Sequence, residues 1–191
     1  MSSESLIVGI YKSQQSVFTT QALGMMFPQY DRTQLLQSLN YYKRKGAILN
    51  PRGGIYAKEG YDREEMACAL FWPTYISLDY VLAGSGVIYQ YGTKITCVSY
   101  LNREIEIDGT TYSYHRMKPS AMGCPAGIQM RGCAAIASPE RALVDSLYLF
   151  PDYQYFDNID IIDKDRAKAI ADEMGNRTLT ERLKKVLYNG Q

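Results

Sequence analysis

Residues Thr19 to Tyr56 constrain this chain more than any other stretch, because a proline turn and a two-glycine turn divide them into segments of different period. Thr19 and Thr20 open a helical run through Gln21, Ala22, Leu23, Gly24, Met25 and Met26. Phe27-Pro28-Gln29-Tyr30 is a turn, since proline cannot continue a helix. Asp31 is placed to cap a second helix. There Leu35, Leu36, Leu39 and Tyr42 recur at three-to-four spacing and mark a buried face, while Thr33, Gln37, Tyr41 and Arg44 point the other way. Lys43-Arg44-Lys45 ends that helix, and Gly46 supplies a left-handed stop. Ala47-Ile48-Leu49, Asn50-Pro51-Arg52-Gly53-Gly54 and Ile55-Tyr56-Ala57 then read as strand, turn, strand. Helix, turn, helix and hairpin in this order read as a winged helix-turn-helix, the hairpin being the wing.

A helix of this kind fits the DNA major groove, where base edges carry a distinguishable donor and acceptor pattern, and a basic hairpin beside it can grip phosphate. Charge placement agrees. Residues 1–60 carry seven Lys/Arg against three Asp/Glu, a net of +4, and the remainder carries fourteen against seventeen, a net of −3. The formal net charge of +1 conceals that polarity. The expected contacts with double-stranded operator DNA divide by chemistry. Thr33, Gln34, Gln37 and Tyr41 approach base edges and set specificity, whereas Lys43, Arg44, Lys45 and Arg52 meet phosphates and set affinity. One winged helix reads few base pairs, so two copies on a DNA repeat are expected, with self-association there. A solvated helix in an ordinary domain, or a winged helix that binds protein instead of DNA, are the alternatives to this reading.

The chain has 191 residues, of which 46% are hydrophobic, enough for one large domain or two small ones. No apolar run approaches the roughly 20 residues of a membrane helix. The start, Met1-Ser2-Ser3-Glu4-Ser5, has no basic stretch before an apolar run, so a cytoplasmic location is expected. Cys68, Cys97, Cys124 and Cys133 lie far apart without a C-x-x-C pair, and His115 is the one histidine, so reduced thiols are expected and no metal or cofactor. Seventeen tyrosines against five phenylalanines suit partly buried surfaces, because a tyrosine hydroxyl can stay wet while its ring is covered.

Along the chain, Glu4 to Lys12 reads as a first helix supporting the helix-turn-helix, with Leu6, Ile7, Ile10 and Tyr11 at helical spacing. A domain boundary is expected at Gly60, followed by a helix from Tyr61 to Phe71. Tyr75-Ile76-Ser77 leads into another helix that Ser77 is expected to cap, with Asp79 in its first turn and a stop at Gly84-Ser85-Gly86. Strands are expected over 94–100, 103–107 and 110–115, the last two joined by Asp108-Gly109, and one or two more over 128–137. Ser138-Pro139-Glu140 opens a helix, with Ser at the cap, Pro at the first position and Glu in the first turn. Two helices, about Lys164–Met174 and Leu179–Tyr188, follow. The fold class expected is α+β: a winged helix-turn-helix over 1–60, and over 61–191 a mixed α+β domain for partner binding or regulation.

A winged N-terminal region followed by Tyr75-Ile76-Ser77-Leu78-Asp79-Tyr80-Val81-Leu82, a strand block and Ser138-Pro139-Glu140-Arg141-Ala142-Leu143-Val144-Asp145 resembles the AbiEi-type antitoxin family, over roughly residues 15–150. The resemblance implies a prokaryotic toxin–antitoxin system of the phage-defence kind. Its antitoxin represses its own operon through the winged helix, and its C-terminal domain counteracts a nucleotidyltransferase toxin, the implied protein partner. The part after Pro151 is shorter than in the longer family members, so the resemblance speaks more for DNA binding than for direct neutralisation. A stand-alone regulator would share the same two domains. Within the second motif, Arg141 and Asp145 also read as a simple helical pair four residues apart.

An enzyme is not expected. No phosphate-binding loop or H-E-x-x-H motif occurs, and His115 reads as a half-exposed strand residue without chemistry. Asp152, Asp157, Asp160, Asp163 and Asp165 match no calcium loop and read as a solvated face or a surface for a basic partner.

Overall fold

The computed structural model describes residues 5–89, 92–152 and 155–189, and the fold is mixed α+β. It divides into two compact units, Met1–Leu70 and Phe71–Gln191. The first holds α1 (Leu6–Lys12), β1 (Val17–Thr19), α2 (Thr20–Met26), α3 (Arg32–Arg44), β2 (Leu49–Arg52), β3 (Ile55–Ala57) and α4 (Arg63–Leu70). Three of these are strands of an antiparallel sheet in the order β1-β3-β2. Leu6 and Ile10 of α1 pack with Phe18, Leu23, Phe27, Leu35, Leu39, Ile48 and Tyr56 in one core, so α1 supports the two following helices as expected. Glu4 lies outside the described residues. Thr19 caps α2, its Oγ1 accepting from Ala22 N, and it also ends β1. That strand has three residues, too few for an alternating pattern to be legible.

α4 belongs to the first unit, so the division falls between Leu70 and Phe71, not at Gly60. The reason is Glu65. Its buried carboxylate accepts hydrogen bonds from Ser16 N (2.6 Å), Ser16 Oγ (2.7 Å) and Val17 N (3.1 Å), tying α4 to β1.

The second unit holds β4 (Thr74–Ile76), α5 (Asp79–Gly84), β5 (Ile95–Ser99), β6 (Arg103–Ile107), β7 (Thr110–Arg116), α6 (Pro119–Met122), β8 (Ile128–Arg131), β9 (Ala134–Ala137) and α7 (Pro139–Leu149). A 3₁₀ turn at Ile159–Ile161, α8 (Lys164–Glu173) and α9 (Arg177–Asn189) follow. One six-stranded sheet runs in the order β6-β7-β5-β4-β9-β8. The pairs β5–β7 and β4–β9 are parallel and the others antiparallel. β5 is interior and buried along its whole length, whereas β6 is an edge bearing Arg103, Glu104 and Glu106 in solvent. At the β6–β7 turn both Asp108 (φ 48°) and Gly109 (φ 72°) are left-handed, the geometry that matches the twist of the flanking strands.

Ser138 caps α7 by accepting from Arg141 N, with Pro139 in the first turn, as the sequence led us to expect. Ser77 differs. Thr74–Ile76 pairs as a strand, Leu78 occupies the position before α5, and the Ser77 hydroxyl is buried and donates to Asp145. Serine is a good cap by propensity, but here a buried carboxylate outcompetes the helix end for its hydroxyl.

Candidate nucleic-acid interface

α3 begins with a reciprocal cap. Asp31 Oδ1 accepts from Gln34 N (2.8 Å) and Gln34 Oε1 accepts from Asp31 N (3.1 Å), which satisfies two donors that a helix start leaves open. Leu35 and Leu39 are buried, and Leu36 and Tyr42 are half-buried beside them. The opposite side is solvent-facing. Thr33, Gln37, Tyr41 and Lys45 are exposed and four residues apart, so they form one stripe, with Arg44 exposed next to it. Tyr41 is 50% exposed, packs edge-on to Tyr42 at 5.3 Å and has Lys45 Nζ 5.8 Å from its ring centre. Arg44 Nε donates to Asn40 O, which holds the guanidinium along the helix.

Gly53 and Gly54 form the hairpin turn, Gly54 with φ 81°. The Gly54 carbonyl accepts from Thr20 N (2.9 Å) and Thr20 Oγ1 (3.1 Å), fastening the tip to the start of α2. Asn50 organises the rest. Its amide Nδ2 donates to Arg52 O and Ile55 O, both at 2.7 Å, and its Oδ1 accepts from Lys43 Nζ at 3.0 Å. One side chain therefore fixes the hairpin's bulged register and ties it to the last turn of α3.

These contacts engage two of the residues expected at the DNA, Gln34 and Lys43. Gln34 is exposed, but its carbonyl oxygen is committed to the cap, and a bidentate contact to adenine needs that oxygen together with the amide. Lys43 is exposed and holds Asn50, which makes it a brace between helix and hairpin. Arg52 is half-buried on β2. Thr33, Gln37, Tyr41, Arg44 and Lys45 are presented to solvent as expected. Electrostatics favour an anion on this side of the sequence: residues 32–58 carry six Lys/Arg and no Asp/Glu. With α4 included, the first unit carries eight Lys/Arg and six Asp/Glu, a net of +2, so the positive charge resides in the helix and hairpin.

A second constellation lies in the second unit. Arg141 and Asp145 are wholly buried, with Nε to Oδ1 at 2.8 Å, not a surface pair. Arg141 Nη1 donates to Cys124 O and Ala126 O, Nη2 to Tyr75 OH and Ala121 O, and Asp145 Oδ2 accepts from Ser77 Oγ at 2.8 Å. Burial alone would lower the guanidinium pKa, but the Asp145 charge and the hydrogen bonds outweigh it and hold Arg141 charged. Burial pushes the Asp145 carboxyl up, against the opposing pull of Arg141 and the Ser77 hydroxyl. Every donor of the pair is satisfied, so it stands as an ion pair and locks the α6–β8 connection onto α7. Sequence signalled the two residues but not their burial, which depends on strands contributed from afar.

His115 is half-buried, edge-on to Phe150 at 5.3 Å, with its Nε2 3.3 Å from Ser113 Oγ. Burial lowers its pKa. In the aspartate-rich stretch Asp163 caps α8, Asp157 accepts from Tyr89 N and Asp160 lies 3.9 Å from Lys164. Among the described residues no group of three or more His, Cys, Asp or Glu is placed to hold a metal, and no helix is long and apolar enough to cross a membrane. None of the four cysteines is joined in a disulfide. Set against known protein families and against curated protein sequences, the chain matches none.

Proposed function

We propose that the first unit is a winged helix-turn-helix that binds double-stranded DNA sequence-specifically, and that the chain is a transcriptional regulator. The observation that carries this reading is the exposed stripe Thr33, Gln37, Tyr41 and Lys45 on a capped helix whose last turn is braced to a hairpin through Lys43 and Asn50. α3 supplies the base-reading surface, with Gln37 as the side chain free to present both an acceptor and a donor. Arg44, Lys45 and the hairpin supply phosphate contacts. The antitoxin resemblance, over roughly residues 15–150, takes in two motif segments of the second unit. Its two motif segments meet through Tyr75 with Arg141 and Ser77 with Asp145, so both belong to one structural device. We therefore read the protein as an AbiEi-like autorepressing antitoxin, with a nucleotidyltransferase as its protein partner and two copies on a DNA repeat.

A mobility shift on the DNA upstream of its own gene, against scrambled DNA and across a salt series, tests the reading. Gln37→Ala is expected to cost about 1–3 kcal/mol on the matched sequence and little on scrambled DNA. Arg44→Ala is expected to weaken both and to lower the salt slope by about one. Unchanged binding in both variants removes the assignment of α3 as the reading helix. Retention of a protein partner with no DNA binding would favour a winged helix that binds protein.

A further inference from the structure

One end of the second unit's sheet gathers side chains that the DNA-binding reading does not use. The parallel strands β5 and β7 end together there, Ser99 opposite Arg116, and β4 begins there, Thr74 opposite Ser99. β6 starts at the same end, with Arg103 opposite Tyr114. Segments 71–74, 99–103 and 114–120 therefore meet along one rim, about 14 Å wide from three strand spacings of about 4.8 Å. Trp72, 84% exposed, and Tyr100, 49% exposed, stand on it with Arg103, Arg116 and Lys118, all in solvent. These segments carry three cations and no carboxylate.

The cations are uncommitted. Strand alternation puts Arg103 on the face of Tyr114, with Arg116 diagonal to it at about 7–8 Å. Glu104 falls on the opposite face, where Lys94 engages it at 2.9 Å. Among the described residues, no hydrogen bond or ion pair occupies the side chains of Arg103, Arg116 or Lys118. The rings, by contrast, are mounted on fixed backbone. Phe71 packs edge-on against Tyr114 at 4.8 Å, and the Pro73 carbonyl accepts from Ser99 Oγ at 3.1 Å, so Trp72 is held from both sides. Thr74 Oγ1 donates to the same Ser99 hydroxyl at 2.8 Å. Beyond Tyr100, Asn102 Oδ1 accepts from Arg116 N at 2.7 Å, and Met117 N donates to Ser99 O at 3.0 Å. Single exposed apolar residues are ordinary. Two anchored rings among three unpaired cations on one rim are not accounted for by scattered exposure.

We infer that this rim binds single-stranded nucleic acid, its bases stacking on Trp72 and Tyr100 and its phosphates meeting Arg103, Arg116 and Lys118. Every base has a flat face, so aromatic platforms hold a strand without reading its sequence while cations track the backbone. In a duplex those faces are already stacked on one another, which leaves the rings without a partner. An acidic peptide would satisfy the cations alone. The site shares no residue with the α3 stripe and does not rest on the DNA-binding reading.

Trp72 is the chain's single tryptophan, so its emission reports on this site directly. The full-length protein is titrated with oligo(dT) and oligo(U), and in parallel with a mixed-sequence duplex and with heparin. Single strands are expected to quench the emission saturably, with an affinity that falls as salt rises. Quenching by both supports the shared chemistry of base and phosphate, and quenching by oligo(U) alone narrows it to RNA. Anisotropy of labelled oligonucleotide, in an Arg44→Ala background that weakens α3, extends the test to variants without the indole. Trp72→Ala is expected to bind about tenfold more weakly, Trp72→Tyr to keep most of the affinity, and Arg116→Ala to lower the salt slope by about one. Both positions are exposed, and an unchanged circular-dichroism melt shows that the fold is kept. No saturable quenching at low salt, equal binding by Trp72→Ala, or equal quenching by duplex or by heparin overturns the proposal. Because Trp72 and Arg116 lie outside α3, that failure leaves the mobility-shift result standing.

Discussion

At the scale of single residues, the side chains that matter most for stability are those whose charge is hidden. Arg141 is buried with five hydrogen-bond contacts, one of them to Asp145. Asp145→Ala leaves that guanidinium buried without its counter-charge and frees the Ser77 hydroxyl. It is expected to cost about 3–5 kcal/mol, read as a shift in the urea-unfolding midpoint; a loss under about 1 kcal/mol would mean the site relaxes to let water in. Gly127 shows the same tightness sterically. With φ 74°, a Cβ there would lie 2.7 Å from the Arg141 Cβ and 2.8 Å from Ile170 Cδ1, so no larger residue fits between the network and α8. The sequence made Arg141 and Asp145 visible as a pair four apart, but that spacing is identical on a wet helix face. Only the strand carrying Tyr75 and the loop carrying Cys124 and Ala126 exclude water from them.

At the scale of elements, local chemistry predicted most boundaries because the signals are local. Asp31 before α3, Ser138-Pro139 before α7 and Gly46 (φ 68°) after α3 each act within one helical turn. The failures are at short strands. β1 and β4 have three residues each, and both were hidden beside helices whose starts they adjoin. The relation of hairpin to α3 was equally illegible, since Asn50 reads only as a turn residue until Lys43 is seen to reach it. Asn50→Ala removes the acceptor for Lys43 and leaves the Arg52 and Ile55 carbonyls without their donor. We expect it to lower stability by about 1–3 kcal/mol and, if the hairpin acts as a wing, to weaken operator binding roughly tenfold with the salt slope unchanged. A reduced slope would instead place Asn50's neighbourhood directly on the phosphates.

At the scale of the whole chain, the division into units is a matter of which side α4 joins. A fragment of residues 1–60 lacks Glu65 and leaves Ser16 and Val17 amides without their acceptor, whereas residues 1–70 retain it. The longer fragment is expected to be more stable by about 1–3 kcal/mol and to melt cooperatively by circular dichroism; equal melting of both would show that α4 is dispensable. Taken alone, the sequence determined the two helices on either side of the Pro28 turn, their caps, the polar stripe of the second and the concentration of positive charge in residues 32–58, since each depends on residues within a few positions of one another. What only tertiary structure decided was the pairing of β4 with β9, the burial of Arg141 and Asp145 and the capture of Glu65 by β1. These depend on segments tens of residues apart excluding water together, and no local periodicity encodes which of them will meet.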